Sequence, residues 1–384
     1  MIDFELTEDQ LALQEMAHEF AAKEMRPKAA AYDQGHAFPE DVMRKAFEVG
    51  FLTCAVPAEY GGGGLKDLEM VIVSEELAWG CAGMYTTMMA NSLAFTPILL
   101  FGTEEQKKRF FAPFVKQMNF ASYCLTEREA GSDTSAIKTT ARKNGTHYVI
   151  NGSKCFITNG GVSSLYIVFA NSAPEKGSRG LSVFAIPRET PGVSVGKAED
   201  KFGHRASNTT ELFFEDVRVP AGNLIGREGH GFIVAMRTFD KTRAAVGAAG
   251  VGIARAALEY AIEYSKTRVQ FGKPIATFQA TAFKIAQMAM EVEAARLVVW
   301  RAAWLMDRGK PNGKESAMAK CLGSDVGMKN AMEALQIYGG YGYMKDYPVE
   351  KLVRDAKLLQ IYEGTNEIQR LVISRDVIGP IRGR

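Results

Sequence analysis

Hydrophobic positions along the chain change period twice. Up to about residue 119 apolar residues recur three and four apart, the spacing of a helix face. Thr7-Glu8-Asp9-Gln10 is a capping box, and Leu13, Met16, Ala17 and Phe20 form an apolar stripe that stops before Pro27. Pro39 opens a second helix, with Val42, Met43, Ala46 and Phe47 inward and Gly50 as its stop. A glycine-rich loop at 57–64 precedes two helical stretches, about 67–80 and 83–101. Thr103-Glu104-Glu105-Gln106 is another capping box, with a helix running to about Gln117.

From Phe120 to Val219 the runs become short and β-rich. Tyr148-Val149-Ile150 lies between Asn144-Gly145 and Asn151-Gly152, two hairpin dipeptides. Residues 165–170, 181–186 and 211–219 have strand length and composition. Helical composition returns at 229–265, 277–308 and 315–336, with glycine-containing breaks between. The pattern predicts an α+β fold: an N-terminal helical domain (1–119), a middle antiparallel β-domain (120–222) and a C-terminal helical domain (223–384).

The last break carries the most pointed chemistry. Val349, Leu352, Val353 and Ala356 mark one helix, and Ile368, Leu371 and Val372 mark the next. Gly364 reads as the residue just past a helix end and Thr365 as an N-cap, with Glu367 in the first turn. Glu363 therefore projects from a tight junction beside Tyr362, where partial desolvation would make its carboxylate a better base. Spacing alone favours an ordinary surface glutamate, because charged residues are mostly solvated.

Composition narrows the class. The chain has 384 residues, is 47% hydrophobic and 23% charged, and carries a formal net charge of +2. That balance gives no reason to expect a nucleic-acid partner. No apolar run approaches a membrane span, and the start, Met1-Ile2-Asp3-Phe4-Glu5, has no signal-peptide pattern. Five scattered cysteines fit reduced thiols, so a cytoplasmic location is expected. No metal-ligand spacing occurs, so no metal site is expected.

Other segments admit two readings each. Tyr123-Cys124-Leu125-Thr126-Glu127, with Gly131-Ser132-Asp133, suits a phosphate or a flat heteroaromatic edge, or is a polar turn. Lys154-Cys155-Phe156-Ile157-Thr158-Asn159-Gly160-Gly161 could wrap a planar ring, or is a strand ending in a turn. Phe239-Asp240-Lys241-Thr242-Arg243 offers an anion contact or an intrahelical ion pair. Arg268-Val269-Gln270-Phe271-Gly272 offers a pyrophosphate-binding arginine or a solvated helix end. Gly247-Ala248-Ala249-Gly250-Val251-Gly252 is not a dinucleotide motif, because it follows a helical pattern rather than a strand.

These segments, taken in order with Gln336-Ile337-Tyr338-Gly339-Gly340 and Tyr362-Glu363-Gly364-Thr365, resemble the acyl-CoA dehydrogenase family over essentially the whole chain. The resemblance implies a C-terminal four-helix bundle, bound FAD, a homotetramer, an acyl-CoA substrate and electron-transferring flavoprotein as acceptor. It implies that Glu363 removes the α-proton while a hydride leaves the β-carbon for the flavin, with the Glu363 N–H on the thioester carbonyl. By the same resemblance Tyr123, Leu125, Thr126, Phe156, Ile157 and Thr158 surround the flavin ring. Gly131 and Ser132 lie near its diphosphate or the CoA. Arg268, Phe271, Gln279, Gln336, Gly339 and Gly340 reach FAD across a subunit interface, and Thr365 and Glu367 lie beside its adenosine part. Phe239, Asp240, Thr242, Arg243, Tyr362 and Gly364 line the acyl-CoA site, with Met89 in the acyl pocket.

Three departures from the family pattern matter. Thr242 stands where some relatives carry the base, Phe156 where tryptophan is usual, and Arg128-Glu129 where Pro-Gly is usual. Met88 and Met89 either shorten the acyl tunnel or face away into the core. Short- to medium-chain, branched or alicyclic acyl groups all remain in view, as do an oxidase and a non-enzymatic binding protein of the same fold.

Overall fold

The computed structural model describes residues 4–380. The expectation about the chain's start rests partly on Met1, Ile2 and Asp3, which lie outside the described residues.

Helix α1 (Glu8–Phe20) begins at the expected capping box, with Thr7 and Gln10 bonded reciprocally. Short helices α2 (Ala29–Gly35) and α3 (Glu40–Glu48) follow. Helix α4 (Asp67–Phe101) spans both expected stretches and bends between them at Cys81, whose φ of −166° and ψ of 113° are not helical. The second capping box starts α5 (Glu104–Lys116), again with both bonds made.

The middle of the chain is a seven-stranded sheet: β1 (Ala121–Cys124), β2 (Thr140–Asn144), β3 (His147–Thr158), β4 (Leu165–Asn171), β5 (Leu181–Pro187), β6 (Val193–Ala198) and β7 (Thr209–Pro220). It is antiparallel as expected except where β1 and, at one residue pair, β2 lie parallel to β4. The β2–β3 hairpin fills the crossover that a parallel β1–β4 pair requires. Only the first of the two Asn-Gly dipeptides turns the chain: Asn144 pairs with His147 across Gly145. The second sits inside β3, where Gly152 takes φ +148° and the register with β7 slips, a bulge rather than a hairpin.

Four long or paired helices complete the chain: α6 (Gly231–Thr267), α7 (Gln279–Asp307), α8 (Gly313–Tyr338), and α9 (Val349–Leu359) followed by α10 (Asn366–Ile378). The short ribbon β8 (Val269–Gln270) and β9 (Lys273–Pro274) links α6 to α7. Helix α6 contains an 18-residue window of mean hydropathy 1.3, and most of that window is buried within the fold.

The first and last thirds of the chain share a core. Leu77, Met84 and Met88 of α4 pack in one cluster with Val246, Ala249 and Ile253 of α6 and Leu359 of α9. Buried Glu75 and Glu76 of α4 accept from Arg255 of α6, and Glu75 also accepts from Arg296 of α7. Glycines set the α6–α8 distance. A Cβ on Gly247 or Gly250 would collide with the backbone of Ala319 or Gly323, so these glycines serve helix packing, as their helical setting implies.

Candidate functional site

Helix α9 ends at Leu359, four residues earlier than Gly364 alone would suggest. The segment 360–365 is therefore an irregular junction, and its backbone is unusual. Glu363 has φ +52° and Gly364 φ +89°. A left-handed glutamate is uncommon and persists only where its surroundings hold it. Here Gln369 Nε2 donates to the carbonyls of Glu363 and Gly364 at 3.3 and 2.9 Å. Lys320 Nζ donates to the Gly364 carbonyl at 2.8 Å. Thr365 caps α10 as expected, accepting from the Ile368 N–H. The junction's internal bonds use the N–H groups of Gln360, Ile361, Tyr362 and Asn366; among the described residues those of Glu363, Gly364 and Thr365 have no acceptor.

The Glu363 side chain is not an ordinary surface carboxylate. It is half-buried, and Thr242 Oγ1 of α6 donates to its Oε2 at 2.6 Å. Burial raises its pKa above the usual carboxylate value, opposed by the Thr242 hydrogen bond and by the charges of Arg243 and Lys320. It lines a cavity of about 80 Å³ between α4 and α6, with Tyr85, Met89, Leu93, Thr242, Val246 and Met306. Met88 and Met89 both belong to the core cluster, and of the two Met89 also borders this cavity. Asp67 and Lys241 pair at the same cavity, Nζ to Oδ1 at 2.7 Å.

Beside Glu363, Arg243 is buried and bonds Asp240 at 3.3 Å, so the intrahelical pair forms. Its Nε, the Tyr123 hydroxyl and the Thr238 hydroxyl are buried without a partner. Tyr123 packs on Phe239, ring centroids 5.7 Å apart. None of these three residues lines the cavity; an unpaired buried donor is costly, so this neighbouring corner suits a polar ligand. Behind Tyr362, His204 lies edge-on to its ring at 6.1 Å and bonds Thr86 and the Asp355 carbonyl. His204 is a buried structural residue in a loop.

The sheet contributes a second group. The Cys155 N–H donates to the Thr126 carbonyl at 3.0 Å, and Ser122 Oγ to the Thr158 carbonyl at 2.8 Å. These bonds bring the Tyr123–Thr126 and Phe156–Thr158 segments side by side. Thr126 and Thr158 are half-buried, Leu125 and Ile157 are buried beneath, and Phe156 stands 65% exposed at φ +57°. An unpartnered aromatic with adjacent hydroxyls fits a planar heteroaromatic ring. The loop that follows, which carries Arg128-Glu129, is braced by Glu127. Glu127 accepts from the N–H groups of Lys138 and Thr139 at 2.7 and 3.0 Å and from buried Lys154 at 2.7 Å. Gly131 and Ser132 are exposed on it.

A third group lies elsewhere. Arg268 ends α6 and sits over the Tyr341 ring at 5.3 Å; Phe271 is 94% exposed at φ +52°. Gln279, Gln336, Gly339 and Gly340 are exposed around them. Along α6, Arg268 is 26 residues from Thr242, about 39 Å at 1.5 Å per residue. The third group therefore lies far along α6 from Thr242 and its partner Glu363. Thr365 and Glu367, by contrast, open α10 next to Glu363.

The sequence did not mark Lys320, Gln369, Tyr85 or Thr238 as site residues, and it placed Lys154 in a candidate ring-binding segment without a role of its own. Lys320 and Lys154 had a legible signal, a lysine inside a buried apolar pattern. A larger cavity, about 420 Å³ between α5 and the sheet, is lined by Arg109, Phe110 and Arg218 and includes none of the expected site residues.

Three family models match consecutive parts of the chain: the acyl-CoA dehydrogenase N-terminal domain at 7–117, its middle domain at 122–217 and its C-terminal domain at 229–378. An acyl-CoA dehydrogenase of Bacillus subtilis is 46% identical over 97% of this chain and 99% of its own length. The structure of butyryl-CoA dehydrogenase from Megasphaera elsdenii superposes with a TM-score of 0.96 at 44% identity, covering 98% of this chain and 100% of that one. A chain from a structure reported for the electron-transferring flavoprotein of Acidaminococcus fermentans gives 0.96 at 46% identity, covering 99% and 100%.

Proposed function

The chain belongs to the acyl-CoA dehydrogenase family and is an FAD-dependent oxidoreductase, and from that premise we propose that it desaturates a short acyl-CoA thioester with Glu363 as the base. One observation carries the reading. A carboxylate made more basic by burial is held in a left-handed junction at one end of an apolar cavity, with its own backbone N–H free.

Each part of the junction then has work to do. Glu363 takes the α-proton, and its N–H donates to the thioester oxygen as charge develops there. Thr242 keeps the carboxylate turned toward the cavity before proton transfer. FAD, when bound, supplies the acceptor for the hydride that leaves the β-carbon. Thr126, Thr158 and Phe156 are the residues that would hold its ring, and Thr365 and Glu367 would lie at its adenosine end. Ser132, Asp240 and Arg243 would meet the CoA portion. Tyr85, which lines the cavity with Glu363, and the bound substrate would keep water from the carboxylate.

The cavity is far below the ~300–1,000 Å³ of pockets for drug-sized ligands, and bulky Tyr85, Met89 and Met306 line it, which favours a short acyl chain. The Asp67–Lys241 pair already satisfies the one cation of the lining, which argues against a carboxylate at the far end of the acyl group. The 39 Å separation along α6 supports a neighbouring subunit as the user of Arg268, Phe271 and Gln279, consistent with a homotetramer. Electron-transferring flavoprotein is the proposed acceptor. The test is anaerobic titration of the purified yellow protein with straight, branched and cyclic acyl-CoAs. Bleaching by four- to six-carbon chains is expected; a colourless protein that takes up no FAD would overturn the reading.

A further inference from the structure

Lys320 of α8 is fully buried directly beneath the Glu363 junction. Its Nζ donates to the Gly364 carbonyl and to Asn366 Oδ1, both at 2.8 Å. Both acceptors are neutral oxygens, so no bonded carboxylate offsets the ammonium. A buried ammonium without such a partner is destabilising. An apolar residue would serve packing better.

The surroundings indicate what the charge does. The charged and titratable groups facing Lys320 are Glu363 in the junction, Cys321 and Asp325 on α8, Arg243 on α6 and, at the start of α10, Glu367. Burial pushes the Lys320 ammonium down to about 8, and Glu363 is the largest influence holding it up. In return, Lys320 and Arg243 lower the proton affinity that burial confers on Glu363. Ser324 and Asp325 accept from or donate to Asn366, fixing the amide whose oxygen receives Lys320. The approach of α8 depends on Gly323, which packs against the Gly247 backbone of α6.

We infer that Lys320 is a positioning residue with a charge-setting role: from beneath the junction it fixes the Gly364 carbonyl, and with it the left-handed Glu363, while its ammonium stabilises the carboxylate form of Glu363. The inference rests on the proposed role of Glu363. No covalent step at Lys320 is involved, and the proton that Glu363 gains in turnover comes from the substrate α-carbon.

The test is the pH profile of anaerobic flavin reduction by butyryl-CoA, in the FAD-loaded protein, for wild type, Lys320→Met, Lys320→Gln and Lys320→Arg. Glu363→Gln serves as reference. In wild type the rate falls on the acid side as Glu363 is protonated. Lys320→Met should move that acid limb upward by about one pH unit, the scale of losing one nearby opposite charge. Lys320→Arg should leave it near its original position. Lys320→Gln keeps an N–H donor for the Gly364 carbonyl but drops the charge. It should show the same upward shift, and it decides the matter if Lys320→Met does not fold. A uniformly slower rate with the limb unmoved in Lys320→Gln would overturn the charge-setting role. Wild-type reduction by Glu363→Gln would instead overturn the base assignment, whatever the lysine variants do.

Discussion

The Thr242 hydroxyl donates to Glu363 Oε2 at 2.6 Å across 121 positions of sequence. A hydroxyl on an ionised acceptor contributes about 1.5–3 kcal/mol and favours the charged carboxylate. Thr242→Val should therefore raise the pKa of Glu363 further and move the acid limb of flavin reduction upward by about one pH unit. The rate at pH 7 should fall several-fold and recover at higher pH. Thr242→Ser should behave as wild type. An unmoved limb in the valine variant would separate this hydrogen bond from the chemistry.

The loop after β1 owes its shape to Glu127 and Lys154. Both are buried, and the carboxylate also accepts from two backbone N–H groups. Removing one partner of such a pair costs about 3–5 kcal/mol, and the loop begins at Thr126, whose carbonyl is tied to Cys155. Lys154→Met should weaken FAD binding by at least about tenfold, the equivalent of 1.4 kcal/mol, read as flavin fluorescence released on dilution. Unchanged FAD affinity would show the pair to be remote from the cofactor.

Close approach of α6 and α8 places Lys320 under the junction. A Cβ on Gly323 would collide with the Gly247 carbonyl, a backbone atom that cannot swing aside. Overpacking of this kind costs about 1–3 kcal/mol. Gly323→Ala should lower Tm by roughly 1–4 °C and slow flavin reduction as well. A variant with wild-type Tm and rate would contradict a tight α6–α8 contact.

Two buried groups should leave opposite marks on stability. Lys320 falls from 10.5 to about 8 on folding. Between those values the unfolded chain holds the extra proton, so stability rises with pH. Wild type should gain about 3 kcal/mol relative to Lys320→Met from pH 8 to 10.5, at 1.36 kcal/mol per unit. Glu363 is raised by burial. Its contribution is full below the ordinary carboxylate range and is lost as pH climbs through the folded value, so wild type should lose ground to Glu363→Gln over that window. Denaturant melts of the three proteins at stepped pH measure both slopes, and parallel curves would refute either shift.

Periodicity and capping chemistry made the helices legible. Thr7-Gln10 and Thr103-Gln106 form their boxes, and the gap between the two stretches of α4 became the bend at Cys81. The parallel β1–β4 pair and the Gly152 bulge were not legible, because both depend on partners far away in sequence. The same limit applies at the site. Local spacing marked Glu363 as a residue at a helix junction, but its left-handed backbone is held by Gln369 and Lys320, and its carboxylate by Thr242. Nothing near residue 363 in the chain encodes Lys320. The Asp240–Arg243 pair, being local, was legible, whereas the orphaned Nε of Arg243 was not.

The central claim is that Glu363 removes the substrate proton. Stopped-flow mixing of FAD-loaded Glu363→Gln with butyryl-CoA, without oxygen, tests it most directly. The glutamine keeps the shape and loses the base, so the variant should stay yellow and bleach at least about a hundredfold more slowly than wild type. Bleaching at the wild-type rate would contradict the assignment.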